Sequence, residues 1–376
     1  MIKVRERRTF VLAALVMALA MIAGACGDDE PAETTAAPTT TAAPTTTAAP
    51  ATTAAEMAEP EDEEMMVPTD FDVAMILLGT KEEGWYATMI DSIGRLADDN
   101  PYDLTITLEI IEEIPYADGE RVIRDLAQTG EYEVILAHST YSDAVAAVKD
   151  EYPDTVFAYS GSGNDPLGGN GYWIDVFIHE PAYLAGIIAG MMTETNQISG
   201  VAAFPFPNVN GPLNAFIDGA RSVNPDITAE VAYIESWFDP ATAQEAAAAQ
   251  IAAGSDMIYA ERFGPFAAAE EAGDVWAFGH FTDQLGLSDV VLTSAVARWD
   301  TAFLDLIHAW YAHVTEGVPY DAPMERIVYQ SMLDGGSSLG EINAKLPDDV
   351  VAAVRDAEAA ILSGDLVIPL VIDPIE

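Results

Sequence analysis

Cysteine is nearly absent: the 376 residues hold one, Cys26. One cysteine has no partner in its own chain, so no internal disulfide holds this fold together. Basic residues are scarce as well. Lys and Arg number 15 against 62 Asp and Glu, a formal net charge of −47. No basic surface is available to neutralise phosphates, which excludes nucleic acid as a partner. Charge offers no attraction to anionic lipid either. The plainest use of so much negative charge is solubility, in a salty medium that screens the repulsion. Motifs for nucleotides and hydrolysis are missing. The loop "GTKEEGWYAT" has neither G-x-G-x-x-G nor a Walker pattern, and its carboxylates repel phosphate. No G-x-S-x-G elbow occurs. The histidines His138, His179, His280, His308 and His313 include no pair at H-E-x-x-H spacing, and His308 and His313 read as solvent-facing on a helix. Carboxylates are too many for a catalytic pair to stand out. These absences point to no catalytic residue, no metal and no cofactor.

What is present begins with "MIKVRERR", a positive start, followed by "TFVLAALVMALAMIAGA". That run is short for a membrane span, which needs roughly 20 apolar residues. A charged start, an apolar middle and small residues before a cut point describe an export signal over residues 1–26. An uncut membrane anchor is the competing reading, and "AGA" favours the peptidase. "IAGAC" resembles a bacterial lipobox, with Gly24 and Ala25 before Cys26 and Ala23 where leucine is usual. The resemblance implies that Cys26 is diacylated and becomes the first mature residue. Several acyl chains on one residue give stable anchoring where one chain does not. Residues 27–69 repeat Thr-Ala-Pro and end in the acidic "EMAEPEDEEMM". Such a segment cannot bury apolar surface and reads as a disordered spacer. Extended, it would reach roughly 100 Å.

The remaining ~300 residues exceed one ordinary core and suggest two lobes. Strand-like runs such as "DVAMILLG" and "YEVILAHS" alternate with helix-like runs such as "WYATMIDSIGRLADD" and "DGERVIRDLAQTG", the last with an Asp cap and a closing Gly130. A second βα series opens at "ISGVAAF" and runs to "VVLTSAV". The expected fold class is α/β, with two doubly wound parallel-sheet lobes. The division is 70–190 for lobe I, 191–296 for lobe II, and 297–376 for hinge crossover and shared C-terminal elements. "EPAYLAGIIAGMMTETN" is an apolar helix, too short for a membrane span. Ligands of such sheets bind outside the carboxyl ends of the strands, here in the cleft between lobes.

Aromatic residues gather at those ends: Trp85 and Tyr86, then Phe204 and Phe206 beside two prolines, then Trp237 and Phe238. Aromatics from both lobes can sandwich a flat ring. Asp239 before Pro240 reads as a helix N-cap. Polar groups at the same edges are His138, Ser139, Tyr159, Ser160, Arg262, His280, Asp283 and Arg298. They would select donors and acceptors on the ring.

"YLAGIIAGMMTETNQISGVAAFPFPNVNGPLNAFIDGARSVNPD", "ESWFDPATAQEAAAAQIAAGSDMIYA" and "EEGWYATMIDSIGR" resemble the basic membrane protein (BMP) family of lipoproteins, over most of Phe71 to His308. The resemblance implies the type I periplasmic binding protein fold with a hinge, and a substrate-binding lipoprotein of an ABC importer. It implies a membrane permease as partner, a lipid-anchored extracytoplasmic location, and purine bases or nucleosides as ligands. By position it makes Trp85 a stacking aromatic, Phe204 or Phe206 the opposing stack, and Asp283 a carboxylate for ribose hydroxyls. Nucleoside-binding members carry a lysine where this chain has Ala297, with Arg298 or Trp299 as substitutes. That departure favours a free base over a nucleoside. The expected ligand contacts are thus Trp85, Tyr86, Ser139, Phe204, Phe206, Trp237, Asp283 and Arg298, and the lipidation site is Cys26. The alternatives are a sugar-binding or sensory receptor of the same fold, or a nucleoside hydrolase.

Overall fold

A computed structural model describes residues 3–6, 67–329 and 331–375. Cys26 and the spacer up to Met66 lie outside the described residues. The first series runs β1 (Lys3–Glu6), β2 (Asp70–Ile76), α1 (Gly84–Asp98), β3 (Thr105–Ile111), α2 (Tyr116–Thr129), β4 (Val134–Ala137), α3 (Ser142–Ala146), β5 (Val156–Ser160) and β6 (Gly171–Val176). The helix α4 (His179–Met192) leads to the second: β7 (Gln197–Ala202), α5 (Pro207–Val223), β8 (Thr228–Tyr233), α6 (Pro240–Ala252), β9 (Met257–Ala260), α7 (Pro265–Ala272), β10 (Trp276–Phe281) and β11 (Val291–Ala297). Then come α8 (Asp300–Glu316), β12 (Ile327–Tyr329), β13 (Ser337–Leu339) and α9 (Asp348–Ser363).

These strands form two sheets among the described residues, ordered β1-β3-β2-β4-β5-β6-β12 and β13-β11-β10-β9-β7-β8. Every pairing is parallel except β11 with β13, where Ala297 faces Ser337. The chain passes between the sheets three times: through α4, through α8, and from β12 to β13. The central strands β4 and β5 are buried along their whole length, which is why they read as unbroken apolar runs. β1 lies within the stretch expected to be an export signal, and its Lys3 pairs with Thr107 on β3. A chain cut before Cys26 would end this sheet at β3.

α4 is apolar because it is enclosed, and no described helix is long and apolar enough to cross a membrane. Its glycines bring it onto α5 backbone to backbone. A Cβ on Gly186 would lie 2.0 Å from the Phe216 carbonyl oxygen, and one on Gly219 would lie 2.0 Å from that of Tyr183. Only glycine permits that approach.

Two local expectations meet different outcomes. Asp239 caps α6, its carboxylate accepting from the Thr242 N–H at 3.1 Å, with Pro240 first in the helix. α2 starts two residues earlier than read, capped by Pro115 with no side-chain bond. Asp118 therefore sits in the first turn, where a negative charge suits the helix dipole. Gly130 closes α2 in the left-handed conformation, φ 63°. The run 141–153 forms only the short α3 and a single 3-10 turn, Lys149–Glu151.

Candidate functional site

The loops after β2, β4 and β5 face those after β7, β8, β9 and β10 across a cleft of about 590 Å3. Trp85 enters it from the first turn of α1. Gly84 before it has little room for a side chain, since a Cβ there would come 3.2 Å from that of Phe281. The Trp85 indole stacks on the His138 imidazole, with centroids 5.2 Å apart and planes 7° apart. The edges of Trp299 and Phe281 close on it at 5.1 and 5.4 Å. Trp299 is fully buried, its N–H donating to Ser92 Oγ at 3.0 Å and its indole N–H to Thr88 Oγ1 at 3.2 Å.

His138 fixes the proton pattern on this wall. Its Nε2 lies 3.1 Å from the Trp85 carbonyl oxygen, which can only accept, so Nε2 carries the proton. Nδ1 then accepts from the Ser160 hydroxyl at 2.6 Å. Complete burial pushes the imidazole down to about 3, so it is neutral. Ser160 lines the cleft with its proton already committed, which leaves it an acceptor. Asn164 ties the two loops together: its amide donates to the carbonyls of Ser139, Ser160 and Gly161, and its oxygen accepts from the Ser142 N–H at 2.9 Å. Tyr116 reaches Ser139 Oγ at 3.0 Å.

The second wall is aromatic and more open. Phe206, Trp237 and Phe238 are 46, 43 and 62% exposed, large apolar surface left facing a cleft. Phe204 stands behind them, 5.6 Å from Phe206 and 5.0 Å from Trp237. Arg262 lies over the Trp237 ring at 5.6 Å and donates to the Trp237 carbonyl at 2.9 Å. Its guanidinium also holds the buried Glu261 carboxylate, which accepts from the Ala203 N–H. Burial pushes the Glu261 carboxyl up, and Arg262 opposes that shift.

Two polar atoms at this cleft are shielded from solvent without a hydrogen-bond partner: Ser162 Oγ on the first wall and Asn208 Oδ1 on the second. Shielded polar groups are ordinarily bonded, so each is a candidate ligand contact. No group of three or more His, Cys, Asp or Glu among the described residues is placed to hold a metal ion.

Trp85, Tyr86, Ser139, Phe206 and Trp237 therefore meet in one cleft, with Phe204 behind them. Asp283 and Arg298 do not line it. The Asp283 carboxylate accepts from the backbone N–H groups of Leu285 and Glu341, at 3.2 and 2.7 Å. Arg298 donates to Ser338 Oγ at 3.0 Å. The residue of that loop in the cleft is Phe281, which has φ 64°. Its neighbours close a tight turn, Thr282 N–H to His280 C=O at 2.8 Å. A bulky residue with positive φ is rare, and such strain gathers at functional sites.

A family model, Bmp, described as ABC transporter substrate-binding protein PnrA-like, matches residues 72–313. The chain belongs to the Bmp family. That description is of a binding protein rather than an enzyme. Among curated relatives, a putative ABC transporter glucose-binding protein, TsgA13, from Haloferax volcanii is 44% identical over half of this chain and 47% of its own length. The chain thus spans about half of that relative. A purine-binding protein from Brucella abortus is 29% identical, over 66% of this chain and 69% of its own. Among solved structures, an ABC transporter solute-binding protein from Conexibacter woesei superposes with a TM-score of 0.63, covering 80% of this chain and 99% of that one at 23% identity. At that identity the likeness concerns the fold, which is that of type I periplasmic binding proteins.

Proposed function

We infer that this chain captures a free purine base for an ABC importer, held at the extracytoplasmic face of the cell membrane by lipid on Cys26. The observation that carries this reading is the aromatic lining of both walls: Trp85 and Tyr116 on one side, and Phe206, Trp237 and Phe238 on the other. Exposed rings in a cleft gain most by closing on a flat, weakly hydrated partner. The two sheets close on the base as a hinge, and the closed form docks on the permease. Ser162, Asn208, Ser160 and Arg262 are the groups available to its edge.

A base is favoured over a nucleoside because the cleft offers a ribose little. Among the described residues its carboxylates are Glu83, which accepts from the Thr80 N–H at 3.0 Å, and Glu261, which is held by Arg262. Asp283 and Arg298 are engaged elsewhere. The kinship with a purine-binding protein agrees with this reading. A sugar is the second reading, and the 44% identity to a putative glucose-binding protein favours it. Thermal unfolding of the full chain with purine bases, nucleosides and glucose separates the two. A ligand at 100 times its dissociation constant adds about 2.7 kcal/mol. Stabilisation by bases above nucleosides and glucose is expected; stabilisation by glucose alone overturns the purine reading. Incubation with nucleosides tests for turnover, and released base would overturn a binding-only role.

A further inference from the structure

Next to Trp85 and Phe281 lies a second, smaller recess of about 40 Å3, which shares Trp237, Phe238, Glu261 and Arg262 with the main cleft. It is large enough for one water molecule or one small substituent. His280 lines it and is 3% exposed. Its Nδ1 is bonded to the hydroxyl of the fully buried Tyr259 at 2.9 Å. Its Nε2 is shielded from solvent and has no hydrogen-bond partner. The Glu261 Oε1 atom stands 3.6 Å away, too far for a hydrogen bond.

The neighbours decide which nitrogen carries the proton. If Nδ1 carried it, the Nε2 lone pair would face the Glu261 carboxylate, and Tyr259 would have to find another acceptor for its own proton. If Tyr259 donates to Nδ1, both conflicts vanish and an Nε2–H points toward the carboxylate side of the recess. Burial and the adjacent Arg262 keep the imidazole neutral, and burial keeps the Tyr259 phenol protonated. The recess therefore holds an unused N–H on His280, beside the Arg262 guanidinium. Two acidic groups line the recess: Glu261 is already engaged by Arg262 and Ala203, and Glu83 accepts from the Thr80 N–H at 3.0 Å. An orphaned buried donor is costly and rejects any partner that cannot satisfy it.

We propose that His280 is a specificity-determining residue whose Nε2–H receives an exocyclic oxygen of the ligand, so that the cleft selects oxopurines over aminopurines. This rests on the purine-base reading. An oxo group brings lone pairs to the His280 N–H and the neighbouring Arg262 guanidinium. An amino group brings protons there, and leaves the His280 donor unpaired. Phe281 shapes the entrance: its ring packs 3.9 Å from His280 and 5.4 Å from Trp85.

The test is calorimetric titration of the full-length chain with hypoxanthine, adenine and unsubstituted purine. Wild type should bind hypoxanthine about tenfold or more tighter than either of the others. In His280→Phe the hypoxanthine-to-purine ratio should fall close to one. Tyr259→Phe, which frees the His280 tautomer, should shrink it part-way. Should His280→Phe not fold, nitrogen NMR of the wild-type imidazole reads the same point. The Nε2–H form, shifted by hypoxanthine and not by purine, supports the proposal; an Nδ1–H form overturns it. A preference for adenine, or an oxo preference that survives His280→Phe, overturns this inference while leaving the purine reading intact. Failure of every purine to bind overturns both.

Discussion

The Trp85 indole lies parallel to the His138 imidazole, and the Trp85 carbonyl accepts from Nε2 of that same histidine at 3.1 Å. One residue thus holds the other by ring and by backbone. The stacking surface is fixed before any ligand arrives, and preorganisation of this kind reduces the ordering lost on binding. Trp85→Ala should therefore weaken binding of a purine base by roughly 5- to 150-fold, the 1–3 kcal/mol of a base stacked on an aromatic ring. Trp85→Phe should lose less. Calorimetry with both variants checks the order.

The buried histidines set a pH dependence. His138 is held at about 3 and His179 at about 4, both by burial, and His280 is also well below its ordinary value. Below about pH 6.5 the unfolded chain takes up protons that the folded chain refuses, so stability falls on acidification. Between pH 6.5 and 5 His138 alone contributes a loss of roughly 2 kcal/mol. Asp175 acts oppositely. Burial pushes its carboxyl to about 6 despite the ion pair with Arg326, so the folded state gains a proton before the unfolded one does. Its ionisation costs stability as pH rises through that range. Asp175→Asn should then raise stability at pH 7 relative to pH 5, making the acid-side loss steeper. Urea unfolding of both forms at pH 5, 6 and 7 measures this.

Trp299 joins α1 to α8 behind the cleft. It is fully buried, and the following residue, Asp300, is paired to Arg95 of α1 at 2.6 Å. Trp299→Ala should cost about 3–5 kcal/mol in urea unfolding, as large aromatic deletions do. Arg95→Ala should cost under about 1 kcal/mol, because that pair is partly exposed to solvent.

The charge of −47 makes a further expectation. Like charges at this density oppose compaction, and salt screens them over about 3 Å at 1 M. The melting temperature should climb between 0.1 and 2 M KCl. A flat or falling curve would show that the acidic surface adds no net repulsion to the folded state.

The sheets were legible in the sequence because parallel strands covered on both faces must be apolar throughout, as β4 and β5 are. β13 carries no such signal: its three residues Ser337–Leu339 have no apolar period, and they form a strand through pairing with β11. In the cleft, Trp85, Phe206 and Trp237 were readable as large aromatics at strand ends. Phe281 was not, because what turns it inward is a backbone with φ 64°. The same turn leaves Asp283 to bind backbone N–H groups of Leu285 and Glu341. Ser162, Asn164, Asn208 and Glu261 left no signal, since polar residues in loops declare a role only when folding shows their partners.

Calorimetric titration of the full-length chain with hypoxanthine, inosine and glucose under one set of conditions tests the central claim most directly. The account predicts saturable one-to-one binding of hypoxanthine, much weaker binding of inosine, and no heat from glucose. Tight binding of glucose with no response to hypoxanthine would contradict it.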